Sequence, residues 1–294
     1  MRKTLFIYTE TPLHAGTGVG LGSVDLPIQR EKHTNYPIIQ ASGVKGALRD
    51  TLEIKLGRNN EALIKNIFGG ATGEKGDDFA GAISPSDARI LLFSVRALKG
   101  VFVWVTCPLV LARYQQETGL ATNLRVPDLE KDVEVASEKL LINGQVMLEE
   151  FTYNATLTSP ARDWAEHFAE KALANAVTYW KTRLRNHLVI LPDNEFRDFV
   201  RYSTEIVTRI HIDDVKKTVK DGQLFSQELL PADSLLYSVI NVTNSRNAEA
   251  NLTDEQVSTK LVDELGARIQ IGADETVGRG RVLLGWAEEN KHDE

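Results

Sequence analysis

Apolar and polar positions alternate from Lys3 to Thr11, the period-two signature of a strand. Beyond it, Val44, Ala47, Leu48 and Leu52 recur at the three- and four-residue steps of a helix, with Ser42 placed to cap it. Glu61 to Phe68 reads as a second, short helix stopped by Gly69-Gly70, and Gly70 to Gly81 as a flexible, polar, glycine-rich loop. Strands are predicted over Ala82 to Phe93 and Gly100 to Thr106. A helix then opens on Pro108, at the first-turn position that proline tolerates, and stops at Gly119. Residues 120 to 158 read as an insertion with short strands near Val135 to Ile142 and Val146 to Tyr153. Ser159-Pro160 is placed to cap the longest helix, burying Trp164, Phe168, Ala172, Val177, Trp180 and Leu184 on one face. That spacing marks the tryptophans as core rather than as platforms for stacking bases.

Two further strand-like runs, Thr204 to Ile212 and Gln223 to Leu230, are joined by a polar connection from Asp213 to Gly222. It carries Lys216, Lys217 and Lys220 and is long for a β-hairpin, and long loops in compact domains are usually functional or disordered. Ser234 to Thr243 is another strand. Thr253 and Gln256 form a capping box for a helix that Gly266 is placed to end. The last strands, Arg268 to Ile271 and Arg281 to Trp286, flank the loop Gly272 to Gly280. Strand and helix alternate without the regular period of a doubly wound sheet, which favours an α+β fold with insertions.

Composition adds exclusions. The 294 residues are 42% hydrophobic and 26% charged, ordinary for a globular protein. No apolar run approaches the roughly 18 residues that span a bilayer. Thr4 to Tyr8 is too short for a signal-peptide core, so a cytoplasmic protein with no membrane partner is expected. The single Cys107 rules out an internal disulfide framework, and six dispersed histidines form no zinc cluster. A net charge of −7 argues mildly against nucleic acid, but the charge is uneven. Residues 1 to 58 hold eight Lys/Arg against five Asp/Glu, while residues 128 to 150 hold seven Asp/Glu against two lysines. Such polarity suits a basic groove with an acidic face elsewhere.

The candidate chemistry lies in that basic first segment. A glycine-studded loop, Gly16-Thr17-Gly18-Val19-Gly20-Leu21-Gly22, leads to Asp25 and the charged run Gln29-Arg30-Glu31-Lys32-His33. Ser42-Gly43-Val44-Lys45-Gly46 then opens a helix with a lysine in its first turn. Exposed backbone N–H groups, a helix start and cations are groups that hold phosphates, and a long polyanion is the natural ligand. Lys45 opposes the helix dipole, a conflict that bound phosphate would relieve, and Arg49 one turn on would share its face. A second glycine loop, with Arg279 between Gly278 and Gly280, sits near the other end of the chain. Candidate phosphate contacts are therefore Gly16, Gly18, Arg30, Ser42, Lys45, Gly46, Arg49, Gly278, Arg279 and Gly280. The plainer reading is that these glycines only make turns.

Asp25 is the only carboxylate between Glu10 and Glu31, and its plainer role is to cap the loop. His14 is a candidate acid or base. Leu21 occupies the third glycine position of a dinucleotide fingerprint counted from Gly16, and no P-loop occurs, so a nucleotide cofactor has little support.

Taken together these residues resemble one family, the repeating backbone subunit of the type III-B (Cmr) CRISPR RNA-guided effector complex, in the RAMP superfamily. The markers are Thr11-Pro12-Leu13-His14, Asp25-Leu26-Pro27-Ile28-Gln29-Arg30-Glu31, Ser42 to Gly46, Ile67-Phe68-Gly69, Ser94 to Gly100, Glu149-Glu150-Phe151 and Glu275-Thr276-Val277-Gly278-Arg279-Gly280. The last resembles the superfamily's glycine-rich signature, and the resemblance covers nearly the whole chain.

The resemblance implies an α+β fold: a ferredoxin-like, RRM-type palm in one domain over residues 1 to 294, with an insertion near 120 to 158. A protruding thumb hairpin is implied at about Arg209 to Pro231. It further implies a filament of identical subunits along one CRISPR guide RNA, joined by other Cmr complex subunits, each cutting the paired target RNA once. In that pattern Asp25 is the catalytic residue and the candidate ligand of a divalent cation, Mg2+ or Mn2+. Lys45 and the Gly278 to Gly280 loop would hold the guide, His14 is a further catalytic candidate, and Glu228 matches an acidic family position. Two alternatives remain open: a non-catalytic RNA-binding scaffold, or a guide-RNA-processing RAMP endoribonuclease built around a histidine.

Overall fold

A computed structural model describes residues 1–20, 22–57, 60–70, 79–212, 216–247 and 251–288. Most of the expected Gly70 to Gly81 loop, Leu21 and the first three residues of the Asp213 to Gly222 connection lie outside the described residues. In chain order the elements are β1 (Arg2–Thr9), β2 (Ile38–Ile39), α1 (Ala41–Leu56), α2 (Glu61–Phe68), β3 (Ile83–Pro85), β4 (Ala88–Ala97), β5 (Val101–Thr106) and α3 (Pro108–Thr118). They continue as β6 (Val133–Val135), β7 (Gln145–Leu148), β8 (Phe151–Leu157), α4 (Ser159–Lys171), α5 (Thr178–Asn186), β9 (Leu188–Ile190) and α6 (Asp193–Tyr202). The last are β10 (Glu205–Ile212), β11 (Val219–Leu229), β12 (Leu235–Val242), α7 (Asp254–Leu265), β13 (Arg268–Gln270) and β14 (Arg281–Glu288).

The architecture is α+β around a closed barrel. Strands run in the order β13-β14-β1-β12-β4, and β4 continues into β5-β9-β6-β8-β7, where β7 returns to β4 through the pair Ala97 and Leu148. Six strands thus close on themselves, mixed because β5–β9 and β6–β8 are parallel. β4 serves both parts: its first half pairs with β12 and its second half, Phe93 to Ala97, with β5. The segment 120 to 158 supplies three of the six barrel strands, β6, β7 and β8.

Burial follows from that layering. Leu5, Phe6 and Ile7 are consecutive on β1 and all fully buried, so both faces of this strand are covered. The aromatic rings of α3 and α4 pack around Tyr114, whose neighbours are Phe6 at 6.1 Å, Phe168 at 5.7 Å and Tyr237 at 5.3 Å between ring centroids. Of the two tryptophans read as core, Trp164 is fully buried and Trp180 is partly buried and packed against the core. α1 contributes Val44, Leu48 and Leu52 to the core, and α7 contributes Val257, Leu261 and Leu265.

Several boundaries differ from the expectations. α1 starts one residue before Ser42, with Gln40 at its cap and no side-chain cap bond, so Ser42 does not cap it and Lys45 lies just past the first turn. Ala82 to Phe93 is two strands. The long helix expected after Ser159-Pro160 is two helices, α4 and α5, and α4 is capped by Thr158, which accepts from Ala161 N–H at 3.3 Å. It ends where Leu173 N–H reaches back five residues to Phe168 carbonyl at 3.2 Å, and Val177 in the turn is exposed rather than core. α2, α3 and the capping box of α7 fall as expected, with Gly119 left-handed at the end of α3.

Candidate nucleic-acid interface

Hairpin β10–β11 forms its own two-stranded sheet, with Thr208 opposite Ser226 and Ile210 opposite Leu224. Opposed residues share a face, so Ile206, Thr208, Ile210, Leu224 and Ser226 stand on one side of it. Ile206, Ile210 and Leu224 are at least half exposed there. The segment around Asp25 runs beside β11 as a short parallel strand: Leu26 N–H donates to Ser226 carbonyl at 3.0 Å, and Glu228 N–H to Leu26 carbonyl at 3.0 Å.

That pairing places Asp25 against Ser226. Asp25 Oδ2 accepts from Ser226 N–H at 2.7 Å and from its hydroxyl at 2.8 Å, and Asp25 N–H donates to the same hydroxyl at 3.0 Å. The Ser226 N–H, then its hydroxyl, hold the Asp25 carboxyl below the usual carboxylate range. The side chain faces solvent, an anion with Oδ2 occupied.

Glu228, next on the same strand but one, is buried and fully engaged. Its Oε1 accepts from Arg30 Nη2 at 2.5 Å and Thr204 Oγ1 at 2.8 Å, and its Oε2 from Ile28 N–H at 3.0 Å. Arg30 also donates to the carbonyls of Asn35 and Val200. His14 is likewise buried, and its Nδ1 lies 2.7 Å from Glu228 carbonyl. Gly16 is required beside it, because an added Cβ would lie 2.5 Å from His14 Nε2.

The second glycine loop closes onto the first. Ala273 N–H donates to His14 carbonyl at 2.9 Å, and Gly280 N–H to Pro12 carbonyl at 3.0 Å. Gly280 has φ +69°, and any Cβ there would lie 2.0 Å from Ile271 carbonyl. Asp274 ties this loop to the hairpin, accepting from Arg209 at 2.6 Å and Gln227 at 2.7 Å. Burial raises the Asp274 carboxyl most, but those two donors outweigh it and leave it lowered. Arg279 lies close enough to Glu205 at the hairpin base to ease that residue's burial-raised carboxyl.

The cations gather separately, on α1. Lys45 is half-buried and has no hydrogen-bond or ion-pair partner among the described residues; burial, then Arg49, then Arg246, push its ammonium pKa down. Arg49 is held by Glu53 at 2.7 Å. The two clusters are joined through Gln29, whose side-chain oxygen accepts from Gln40 N–H at 2.7 Å at the start of α1. The structure thus brings Asp25, Arg30, Glu228, His14, Gly16 and the Gly278 to Gly280 loop onto the hairpin base. Gly18 is exposed on the loop above, while Ser42, Lys45, Gly46 and Arg49 stand apart on α1.

Ser226, Asp274 and Arg246 were not legible as site residues. Ser226 lies 201 positions from Asp25, and no local pattern marks it. For the cation expected from the resemblance, no group of three or more His, Cys, Asp or Glu residues that could hold a metal is found among the described residues. A hard divalent cation takes six or more oxygens. Asp25 offers it one free carboxylate oxygen, and no other carboxylate, histidine or cysteine among the described residues completes a metal-binding group with it.

The family model for the RAMP superfamily matches residues 6–282. This chain belongs to the RAMP superfamily. It is 40% identical over 283 residues, 95% of this chain and 93% of the other, to the CRISPR system Cmr endoribonuclease Cmr4 of Pyrococcus furiosus. The CRISPR system CMR subunit Cmr4 of Saccharolobus solfataricus is 28% identical, over 97% of this chain and 96% of its own. Among solved structures, oligomeric Cmr4 from Pyrococcus furiosus superposes with a TM-score of 0.74 at 32% identity, covering 98% and 99% of the two chains. The RAMP chain therefore matches these relatives over most of the length of both. No helix among its described residues is long and apolar enough to cross a membrane.

Proposed function

We propose that this chain is a repeating, CRISPR-RNA-binding backbone subunit of a type III-B effector complex that cuts complementary target RNA at regular intervals. The observation that carries the reading is Asp25: an ionised, solvent-facing carboxylate fastened by Ser226 to a hairpin whose adjoining face is exposed and apolar. The likeness to an endoribonuclease and to an oligomeric relative supports activity and self-assembly.

In this reading the order β14-β1-β12-β4, with α1 between β1 and β4 and α7 between β12 and β14, is the ferredoxin-like, RRM-type palm. The β10–β11 hairpin is the thumb, and 120 to 158 is an insertion into a single domain. Sequence is read by guide pairing, while the protein grips backbone and shape. Lys45, Arg49, Arg246 and the glycine loops hold guide phosphates. Ile206, Ile210 and Leu224 wedge the duplex, splay one nucleotide and turn the adjacent ribose beside Asp25. The attacking group is then the substrate's own 2′-OH, already next to the scissile phosphate.

A depressed pKa makes Asp25 a weak base and suits it to a lasting negative charge rather than to proton uptake. If Mg2+ or Mn2+ takes part, Asp25 is the single protein ligand, RNA and water supply the rest, and the cation adds neutralisation of phosphate charge. Glu228 and His14, both buried and engaged, act here as positioning residues for Arg30, Ile28 and the two loops. The burial of His14 and the engagement of its Nδ1 weigh against the histidine-based guide-processing reading.

The test is reconstitution with a guide and its complementary RNA, mapping cuts with and without chelator. Asp25→Asn is expected to abolish cutting and leave guide and target binding nearly unchanged, since removing a carboxylate beside RNA does not weaken phosphate binding. Wild-type cutting by this variant would refute the reading.

A further inference from the structure

The Glu149-Glu150-Phe151 run has no part in the proposed RNA site, yet it lines a groove of about 860 Å³ between β8 and α6. The rim is acidic, with Glu149, Glu150, Glu195 and Asp198, and the aromatic residues are Phe151, Tyr153, Phe199 and Tyr202. No lysine or arginine is among its lining residues. Arg96 pairs with Glu149 and Arg197 with Asp198 from outside, but Glu150 and Glu195 have no ion-pair partner among the described residues. Glu195 Oε2 is buried and accepts no hydrogen bond from the described residues.

Two features show that the groove is built rather than incidental. Glu149 takes φ +49°, a left-handed conformation unusual for its type, and this turn sets Glu150 and Phe151 at the mouth. Phe151 stands edge-on to Phe199 at 6.0 Å while remaining 51% exposed, and Tyr202 is 70% exposed. The local field is negative enough that Glu195 and Asp198 add to burial in raising the Tyr153 phenol.

We propose that this groove seats an arginine-bearing segment of a different protein subunit. RNA is excluded as occupant because its phosphates would meet carboxylates. A second copy is disfavoured because the chain itself carries −7 and would bring net negative charge to an acidic rim. Arginine fits better than lysine: a planar guanidinium forks onto a carboxylate and stacks on a ring face. Arg201 already lies 5.0 Å from the Tyr202 ring centroid in this way.

The probe is a short fluorescein-labelled peptide of alternating arginine and leucine, titrated into the purified subunit by anisotropy. Its lysine and glutamate counterparts and single-stranded RNA of like length serve as comparisons. The arginine peptide is expected to bind more tightly than the lysine one, and the glutamate one not at all. The double variant Glu150→Lys with Asp198→Lys is expected to weaken the arginine peptide about tenfold or more while leaving RNA affinity and Tm unchanged. Phe151→Ala, at an exposed position, gives a second variant that keeps every charge, and the same loss is expected. Unchanged peptide affinity in either folded variant overturns the proposal, as do equal arginine and lysine affinities. Loss of self-association in either variant would assign the groove to a second copy and overturn it too.

Discussion

Glu228→Ala is the perturbation that separates positioning from catalysis at the hairpin base. The change deletes the acceptors of Arg30, Thr204 and the Ile28 N–H. Ile28 is 4% exposed, so its amide is left unsatisfied, at a cost of about 1–3 kcal/mol. The Arg30–Glu228 pair is mostly buried, with side chains 17% and 8% exposed. Removing one member of a buried pair costs roughly 3–5 kcal/mol, but Arg30 keeps the Asn35 and Val200 carbonyls, which lowers that figure. The two costs overlap, and the net expectation is a loss of about 3–4 kcal/mol by urea unfolding at pH 7. Glu228→Gln keeps an acceptor for Arg30 and opposes donor to donor at Ile28, so about 1–2 kcal/mol is expected, with cutting largely retained. In a double-mutant cycle with Arg30→Ala, a coupling of roughly 1–3 kcal/mol should appear. If Glu228→Ala unfolds within about 0.5 kcal/mol of wild type, the pair does not organise this site. If Glu228→Gln is stable yet fails to cut, the carboxylate touches RNA and the positioning role is wrong.

Lys45→Ala should weaken guide binding for every guide sequence and lower the slope of log affinity against log salt by about one counterion; an unchanged slope removes Lys45 from the RNA path. Deoxyribose on the 5′ side of one cut should silence that cut alone and leave its neighbours, with 2′,3′-cyclic phosphate ends at the others; persistence at the deoxy position would make water the nucleophile. His167 is pushed down to about 4 by burial and then Lys171, with Tyr114 hydroxyl 2.8 Å from its Nε2. A histidine lowered by folding gives full stability above its unfolded value near 6.5, lost as pH falls toward 4, by up to about 3 kcal/mol. Urea unfolding of wild type against His167→Gln should show this loss only in wild type.

Local rules found the elements whose signals are local. Gly119, the Thr253–Gln256 box and the run Glu61 to Phe68 each fixed a boundary, because caps and breakers act within one turn. The split between α4 and α5 was invisible because Val177 fits the helical stripe while Asn175 donates to Leu284 carbonyl, a contact 109 residues away. β9 and α6 were missed for a related reason. Leu188 to Ile190 is three residues long, and its place in the barrel comes from pairing with β5 and β6. Barrel closure itself rests on the single pair Ala97 and Leu148, which no periodicity encodes.

The candidate site divides along the same line. Clustered glycines, a lone aspartate and a lysine near a helix start are readable because each is a feature of a few neighbouring residues. The second half of the site is not, since Ser226 is an ordinary strand residue until Asp25 meets it. That asymmetry has a mechanistic consequence. The carboxylate and the hairpin that would expose the ribose to it are joined by three hydrogen bonds across 201 residues. Ser226→Ala keeps the backbone donor and loses only the hydroxyl, so Asp25 should stay charged but turn more freely. Cutting should then fall with target affinity unchanged, and Ser226→Thr should restore it by supplying the same hydroxyl. Equal cutting by the alanine variant would mean that Asp25 does not depend on the hairpin for its aim.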